Sequence, residues 1–112
     1  MRSFIAFAAA SALLVAGAAG AAAPHPPATA AAQVVTIGNF TFGPMVVHIP
    51  VGGSVTWING DDVPHTVAAV DRSFRSRPID TGERYAFTFT RPGVYSYFCS
   101  LHPRMIGKVV VR

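Results

Sequence analysis

Three side chains of types that bind copper occur close together near the C-terminus. Cys99, His102 and Met105 follow the spacing Cys-x-x-His-x-x-Met, and Cys99 is the only cysteine of the 112 residues. A further imidazole is available upstream at His65, between two strand-like segments. One thiolate, two imidazoles and a weakly bound thioether are the ligands of a copper site that exchanges single electrons.

This mixture of ligands suits both oxidation states of copper, because thiolate and thioether sulfur favours Cu(I) and imidazole also suits Cu(II). Taken singly, Cys99 is explained as a small buried hydrophobe and Met105 as a filler of the core. Their joint occurrence with two histidines favours a metal site. Zn(II) is able to occupy the same ligands, although copper binds more tightly in the divalent series. His48 has no sulfur neighbour in the sequence and is interpreted as an edge histidine.

The beginning of the chain has the pattern of a secretory signal peptide. Arg2 precedes an apolar stretch, residues 4–20, and a proline-rich segment follows. A membrane anchor is the alternative, but the stretch is short for a span of about 20 residues and is rich in Ala and Gly. We predict a signal peptide over residues 1–23, with cleavage as late as residue 32, export to the periplasm, and no stable membrane insertion afterwards. Residues 24–33 are predicted to be a disordered Ala/Pro-rich lead-in.

The remaining residues, 34–112, are expected to form one domain. A single cysteine cannot form an internal disulfide, and a metal bond would protect its thiol in an oxidising compartment. The chain has nine Lys and Arg residues against five Asp and Glu, and Arg2 belongs to the leader. That excess of positive charge is too small to indicate nucleic-acid binding.

Short segments rich in Val, Ile, Thr, Phe and Tyr alternate with Gly, Pro and Asn in this domain. Such regular strand and turn patterns are typical of an all-β sandwich. In the segment before Cys99, alternation of side chains puts Tyr95, Tyr97 and Cys99 on one face and Phe98 on the other. The predicted strands are residues 34–37, 46–49, 54–58, 66–70, 84–90, 93–98 and 108–112.

Residues 92–102, together with Trp57, Asn59 and the Pro64-His65 pair, resemble the cupredoxins, the small type 1 blue copper proteins. The resemblance covers about residues 34–112 and is nearest to the amicyanin branch by the Cys-x-x-His-x-x-Met loop. The plastocyanin and pseudoazurin branches have a longer gap before the methionine. The resemblance implies an all-β, Greek-key sandwich of seven to eight strands that binds one copper ion.

Carried over by residue, the resemblance implies that His65 and His102 bind copper through nitrogen and Cys99 through its thiolate. Met105 is the implied weak axial ligand. Thr66 stands where an asparagine is usual, so its backbone amide can still reach the thiolate, but its side chain cannot make the same tie between loops. Pro103 has no N–H to offer the sulfur, which makes the Thr66 amide the expected donor. Asn59 is the other residue expected beside the ligands.

An edge of His102 is expected to be exposed within a small apolar surface, with Arg104 at its rim. Such a surface suits transient redox partners, an electron donor and an electron acceptor, with an interface below about 1,200 Å². We expect a monomer. Leu101 replaces a usual proline and Arg104 a usual aromatic residue, and the latter bears on the choice of partner. The expected docking residues are Pro64, Pro103 and Arg104, with Val63 and Met45 nearby.

Three functions compete. The favoured one is a periplasmic carrier of single electrons with no catalytic residues. The alternative is a periplasmic protein that delivers or sequesters copper, but the chain has only three methionines and no Met-rich or His-rich tract. An enzyme is disfavoured because it would need a second histidine cluster, and His25 and His48 are isolated. Trp57 is assigned to the core, and residues 72–77 to a solvated basic loop.

Overall fold

The computed structural model describes residues 31–112, so the predicted signal peptide and most of the predicted lead-in lie outside the described residues. Residues 31–112 contain eight strands and no helix, and this part of the chain therefore has no helix that could cross a membrane. The strands are β1 (Ala32–Gly38), β2 (Thr41–Gly43), β3 (Val46–Ile49), β4 (Ser54–Asn59), β5 (Ala68–Ala69), β6 (Arg84–Thr88), β7 (Gly93–Cys99) and β8 (His102–Val111).

The strands form two four-stranded sheets, ordered β2-β1-β4-β6 and β3-β8-β7-β5. β1 runs parallel to β4 and β3 runs parallel to β8, whereas the β4–β6, β5–β7 and β7–β8 pairs are antiparallel. The predicted all-β sandwich is confirmed, including its number of strands. Its inner faces carry the apolar residues that alternate along each strand.

Several predicted strand boundaries are wrong. β2 is a three-residue strand that sequence alone did not indicate, and β5 has only two of the five residues predicted. β1 begins at Ala32, inside the predicted lead-in. β8 begins at His102 instead of residue 108, because the chain turns back on β7 at once and pairs Phe98 with Ile106. The strand boundaries depend on which strands pair with each other, and the local amino-acid composition does not indicate that pairing.

The core is built around Trp57 of β4 and Tyr97 of β7, both almost fully buried. Their rings meet edge to face at 5.3 Å, and Phe42 of β2 packs on Tyr97 at 4.8 Å. Tyr97 also lies against the backbone of Gly107, where any Cβ would collide with its ring. The core position predicted for Trp57 is confirmed, and the two sheets are joined directly behind the ligand residues.

The hydroxyl groups of the two tyrosines of β7, Tyr95 and Tyr97, differ in their hydrogen bonding. The Tyr95 hydroxyl donates to the backbone oxygen of Arg91 at 2.8 Å. The Tyr97 hydroxyl and the Trp57 indole nitrogen are buried without a hydrogen-bond partner among the described residues. Burial raises the pKa of Tyr97 to about 12, so this ring stays neutral and acts as a packing group.

The loop after β4 is fixed to the following segment by paired backbone bonds. The N–H of His65 donates to the oxygen of Ile79 at 3.2 Å, and the N–H of Ile79 donates back at 2.7 Å. The N–H of Gly82 donates to the oxygen of Asn59 at 2.7 Å. These bonds hold His65 beside the end of β7, where Cys99 lies.

Candidate metal centre

The structure brings together three of the four predicted ligands in a compact cluster. The ligand atoms of His65, Cys99 and His102 all lie within 4.8 Å of one another. Cys99 Sγ is 3.8 Å from Nδ1 of His65 and 3.8 Å from Nδ1 of His102. An ion in the middle of this triangle would lie roughly 2 Å from each atom, which is the length of a bond from a metal to nitrogen or sulfur. The donor set therefore fits a copper ion.

Met105, the fourth predicted ligand, is buried near the start of β8, with 4% of its surface exposed. Together with His102 it lines a shallow hollow of about 410 Å³ that opens beside the cluster. The thioether is thus on the same side of the domain as the three clustered residues, as the short loop requires.

Cys99 is fully buried, and its environment favours the thiolate. Burial by itself raises the pKa of this thiol. Four contacts oppose this effect and together lower the pKa to about 6. In decreasing order they are those with the backbone N–H of Thr66, the side chains of His65 and His102, and the backbone N–H of Leu101. The thiolate is the form that binds a metal, so the site is prepared for an ion at neutral pH.

Thr66 contacts the sulfur through its backbone N–H and, at 3.8 Å, through its hydroxyl Oγ1. Its backbone N–H donates to Cys99 Sγ at 3.3 Å, which is the contact expected from the sequence. Its hydroxyl also ties the two ligand loops together: Oγ1 accepts the backbone N–H of Ser100 at 2.7 Å and lies 2.8 Å from the Ser100 hydroxyl. A tie by threonine and serine thus replaces the asparagine tie, and sequence reasoning missed Ser100.

Asp61 is a functional residue that the sequence analysis missed. Its carboxylate Oδ2 lies 2.8 Å from Nε2 of His65, which is buried. The backbone N–H groups of Asn39 and Phe40 donate to Oδ1 and Oδ2 at 2.6 and 2.9 Å. The Phe40 amide lowers the pKa of Asp61 most; desolvation opposes it, and His65 and the Asn39 amide lower it further. The one available clue was an acidic residue four positions before the histidine.

The Asp61 carboxylate also determines which nitrogen of His65 is free. A carboxylate only accepts hydrogen bonds, so Nε2 of His65 carries the proton and donates it to Asp61. Nδ1 faces the Cys99 sulfur: it can donate to the thiolate only when the ring is charged, and in the neutral ring it is unprotonated and offers its lone pair to a metal. Asp61 thereby orients the ring and selects the tautomer that can bind an ion.

Asn59 lies beneath the His65 loop and does not face the sulfur. Its side-chain nitrogen donates to the oxygens of Val63 and Ile79, each at 2.8 Å, and its side-chain oxygen accepts the N–H of Asp61 at 2.8 Å. It is completely buried. The residue therefore shapes the loop that carries both Asp61 and His65.

The face around His102 is partly apolar and partly exposed. Of the expected docking residues, Pro64, Pro103 and Arg104 are all exposed, as is Met45, while Val63 and His102 are partly exposed. Pro103 and Arg104 line the hollow beside His102. His48 is exposed on β3, away from the cluster. Phe40, which sequence reasoning missed, lies over both histidine rings, with ring centroids 5.4 Å from His65 and 5.0 Å from His102.

The sequence and fold are similar to those of known copper proteins. The model of the family described as "Copper binding proteins, plastocyanin/azurin family" matches residues 29–112. Amicyanin-alpha of Methylorubrum extorquens is 35% identical, over 96% of this chain and 97% of that protein. Amicyanin of Paracoccus denitrificans is 38% identical over 71% of this chain. This chain spans 65% of the length of that amicyanin, slightly less than two thirds. A solved purple cupredoxin from Nitrosopumilus maritimus has a TM-score of 0.69 and 37% identity, covering 71% of this chain and 99% of that one.

Proposed function

Because this chain belongs to the plastocyanin/azurin family of copper-binding proteins, we propose that it is an electron carrier that works by one-electron steps. Copper is the metal of this family, and the cluster of His65, Cys99 and His102 has room for one ion. Bound copper supplies the chemistry, a cycle between Cu(II) and Cu(I). These three residues would hold the ion, and Met105 would supply a weaker fourth ligand through its thioether.

The observation that carries the proposal is the cluster of one sulfur and two nitrogen atoms, in which Cys99 and His65 are buried and held by hydrogen bonds and His102 is partly exposed. The Thr66 amide and the Thr66–Ser100 contact hold the sulfur side, and Asp61 holds the His65 ring. A site whose ligands cannot rearrange favours a fast exchange of electrons, because little reorganisation accompanies the change in oxidation state. No substrate-binding or catalytic residue is assigned.

We place the route of the electron at the exposed edge of His102. This ring is only partly buried, and apolar residues surround it, with Arg104 at the rim. An apolar face with few charges fits a small, short-lived interface with a redox partner, below about 1,200 Å². We further propose that the protein acts as a monomer in the periplasm, after removal of the leader predicted over residues 1–23.

The first experiment is a titration with Cu(II) of the chain without its predicted leader, residues 24–112, so that β1 stays whole. Visible absorption is recorded during the titration, and ascorbate is then added. We expect a strong blue thiolate-to-copper band at one equivalent, lost on reduction and regained on oxidation by air or ferricyanide. Cys99→Ser, which replaces the sulfur by a smaller oxygen and keeps the shape of the side chain, is the control and should lack the band. Absence of the band in the wild-type domain would overturn the assignment of the site.

A second measurement separates an electron carrier from a protein that delivers or sequesters copper. The reduced protein is mixed with a weak Cu(I) chelator, and both the loss of copper and the electron self-exchange rate are followed. A carrier keeps its copper and exchanges electrons quickly. Rapid transfer of copper to the weak chelator, with slow self-exchange, would replace the proposal by copper delivery.

A further inference from the structure

The turn between β1 and β2 has an unusual residue in an unusual backbone conformation. Gly38 pairs with Thr41, which leaves a two-residue turn made of Asn39 and Phe40. Both have positive φ angles, 50° and 59°. Turns of this kind favour asparagine followed by glycine, and a bulky aromatic residue in this region of φ is an outlier. Phe40 therefore occupies a position whose backbone conformation favours glycine.

The strained turn is anchored to the metal centre. The N–H groups of Asn39 and Phe40 both donate to the Asp61 carboxylate, which also accepts the bond from His65. The backbone of Asp61 is fixed in turn, because its N–H donates to Asn59 and its oxygen accepts the Thr81 hydroxyl at 2.6 Å. The position of the Phe40 ring relative to His65 is thus set by a hydrogen-bond network.

The Phe40 ring contributes less to the stability of the fold than a core aromatic residue would. It is 48% exposed, so only part of its apolar surface is removed from water. Its aromatic partners are the two histidines, which it meets edge-on at interplanar angles of 90° and 78°. Backbone strain that stability does not explain, located at a binding site, points to a role in that site.

We propose that Phe40 is a positioning residue that covers the two histidine ligands and slows the exchange of copper with the solvent. The ring lines the hollow that opens beside His102 and Met105, which is a direct approach for water or a competing ligand. By packing on both imidazole rings it also restricts their rotation. The role depends on copper binding but goes beyond electron transfer, since a copper-delivery protein would use the same cover.

The test compares two glycine variants of the same turn. Phe40→Gly removes the ring but keeps the backbone N–H and suits the φ angle. Asn39→Gly suits its own φ angle equally and leaves the ring in place. For the metal-free protein, we expect both variants to have a free energy of unfolding in urea equal to or higher than that of the wild type. For the copper-loaded protein, we expect Phe40→Gly alone to lose Cu(I) to bicinchoninate about tenfold faster.

Phe40→Leu separates covering by apolar bulk from a specific aromatic contact, and it should restore most of the slow copper release. Two results would overturn the proposal. One is a Phe40→Gly protein that is strongly destabilised without metal and releases copper at the wild-type rate, which would make Phe40 an ordinary packing residue. The other is equal acceleration by Asn39→Gly, which would assign the effect to the turn alone. Either result leaves the blue band at one equivalent of copper, and so the proposed electron transfer, intact.

Discussion

Substitution of Asp61 by asparagine should destabilise the metal-free protein in a manner that depends on pH. The carboxylate accepts three N–H groups, from Asn39, Phe40 and His65, at 2.6, 2.9 and 2.8 Å. Hydrogen bonds to a charged group contribute about 1.5–3 kcal/mol each when buried and less when exposed. The two hydrogen bonds from the turn are exposed, whereas the His65 ring is buried. The bond to His65 therefore makes the largest contribution to the free energy of unfolding. We expect a loss of about 2 kcal/mol at pH 7.

The sign of the pH dependence follows from the lowered pKa of Asp61. The folded state favours the carboxylate, so its contribution is complete above the ordinary pKa of 3.8 and is lost as the pH falls through the lower pKa of the folded state. Once the pH is below the pKa of the folded state, the wild-type carboxyl is protonated as well. The difference between the wild type and Asp61→Asn should therefore shrink with falling pH.

The assay is urea unfolding of the metal-free domain, followed by tryptophan fluorescence at several pH values from neutral to about pH 2. Trp57, the single tryptophan, is buried in the core and reports global unfolding. Asp62→Asn is the matched control, because Asp62 is the neighbouring carboxylate and is exposed. Equal stability of the two variants at pH 7, or a difference that persists undiminished at the lowest pH, would refute this account of Asp61.

Three further predictions concern the sulfur ligand and the core behind it. The thiolate absorbance of metal-free Cys99 near 240 nm should titrate with a midpoint at about pH 6, well below the ordinary thiol value of 9.0, and a midpoint above 8 would contradict the assigned N–H donors. Thr66→Val keeps the hydrogen bond from the backbone N–H to the sulfur but leaves the N–H of Ser100 without its acceptor. The free energy of unfolding should therefore fall by about 1–3 kcal/mol, while the midpoint of the Cys99 titration changes little. A large shift of that midpoint would instead give the threonine hydroxyl a direct role. Gly107→Ala should destabilise the domain by about 3 kcal/mol or prevent folding, because the added Cβ collides with the Tyr97 ring. Adding Tyr97→Leu should recover much of the lost stability, measured by thermal unfolding. No recovery in the double variant would contradict the collision.

The features that the sequence predicted well are those that depend on short-range patterns. Alternation along β4 and β7 and the turn residues between strands indicated an all-β sandwich, which the structure confirms. The expected resemblance to cupredoxins of the amicyanin branch is confirmed by the comparisons with known proteins. The loop from Cys99 to Met105 is short, so its spacing alone restricts where His102 can lie relative to the sulfur.

The features that the sequence did not reveal depend on pairs of segments far apart in the chain. Asn39 and Phe40 meet Asp61 across 22 and 21 residues, and Thr66 meets Ser100 across 34. None of these residues has a type that identifies its partner, and the β2 strand is too short to show a period of its own.

Strand alternation, turns and a seven-residue ligand loop are local properties, so the amino-acid sequence is enough to predict the class of fold and the kinds of atoms available to a metal. How those atoms are held depends on the packing of the two sheets. The tautomer of His65, the low pKa of Cys99 and the cover provided by Phe40 each require a hydrogen bond or a ring contact between distant segments. Such contacts arise only when the two sheets pack and bring the ends of β1, β4 and β7 to one side of the domain.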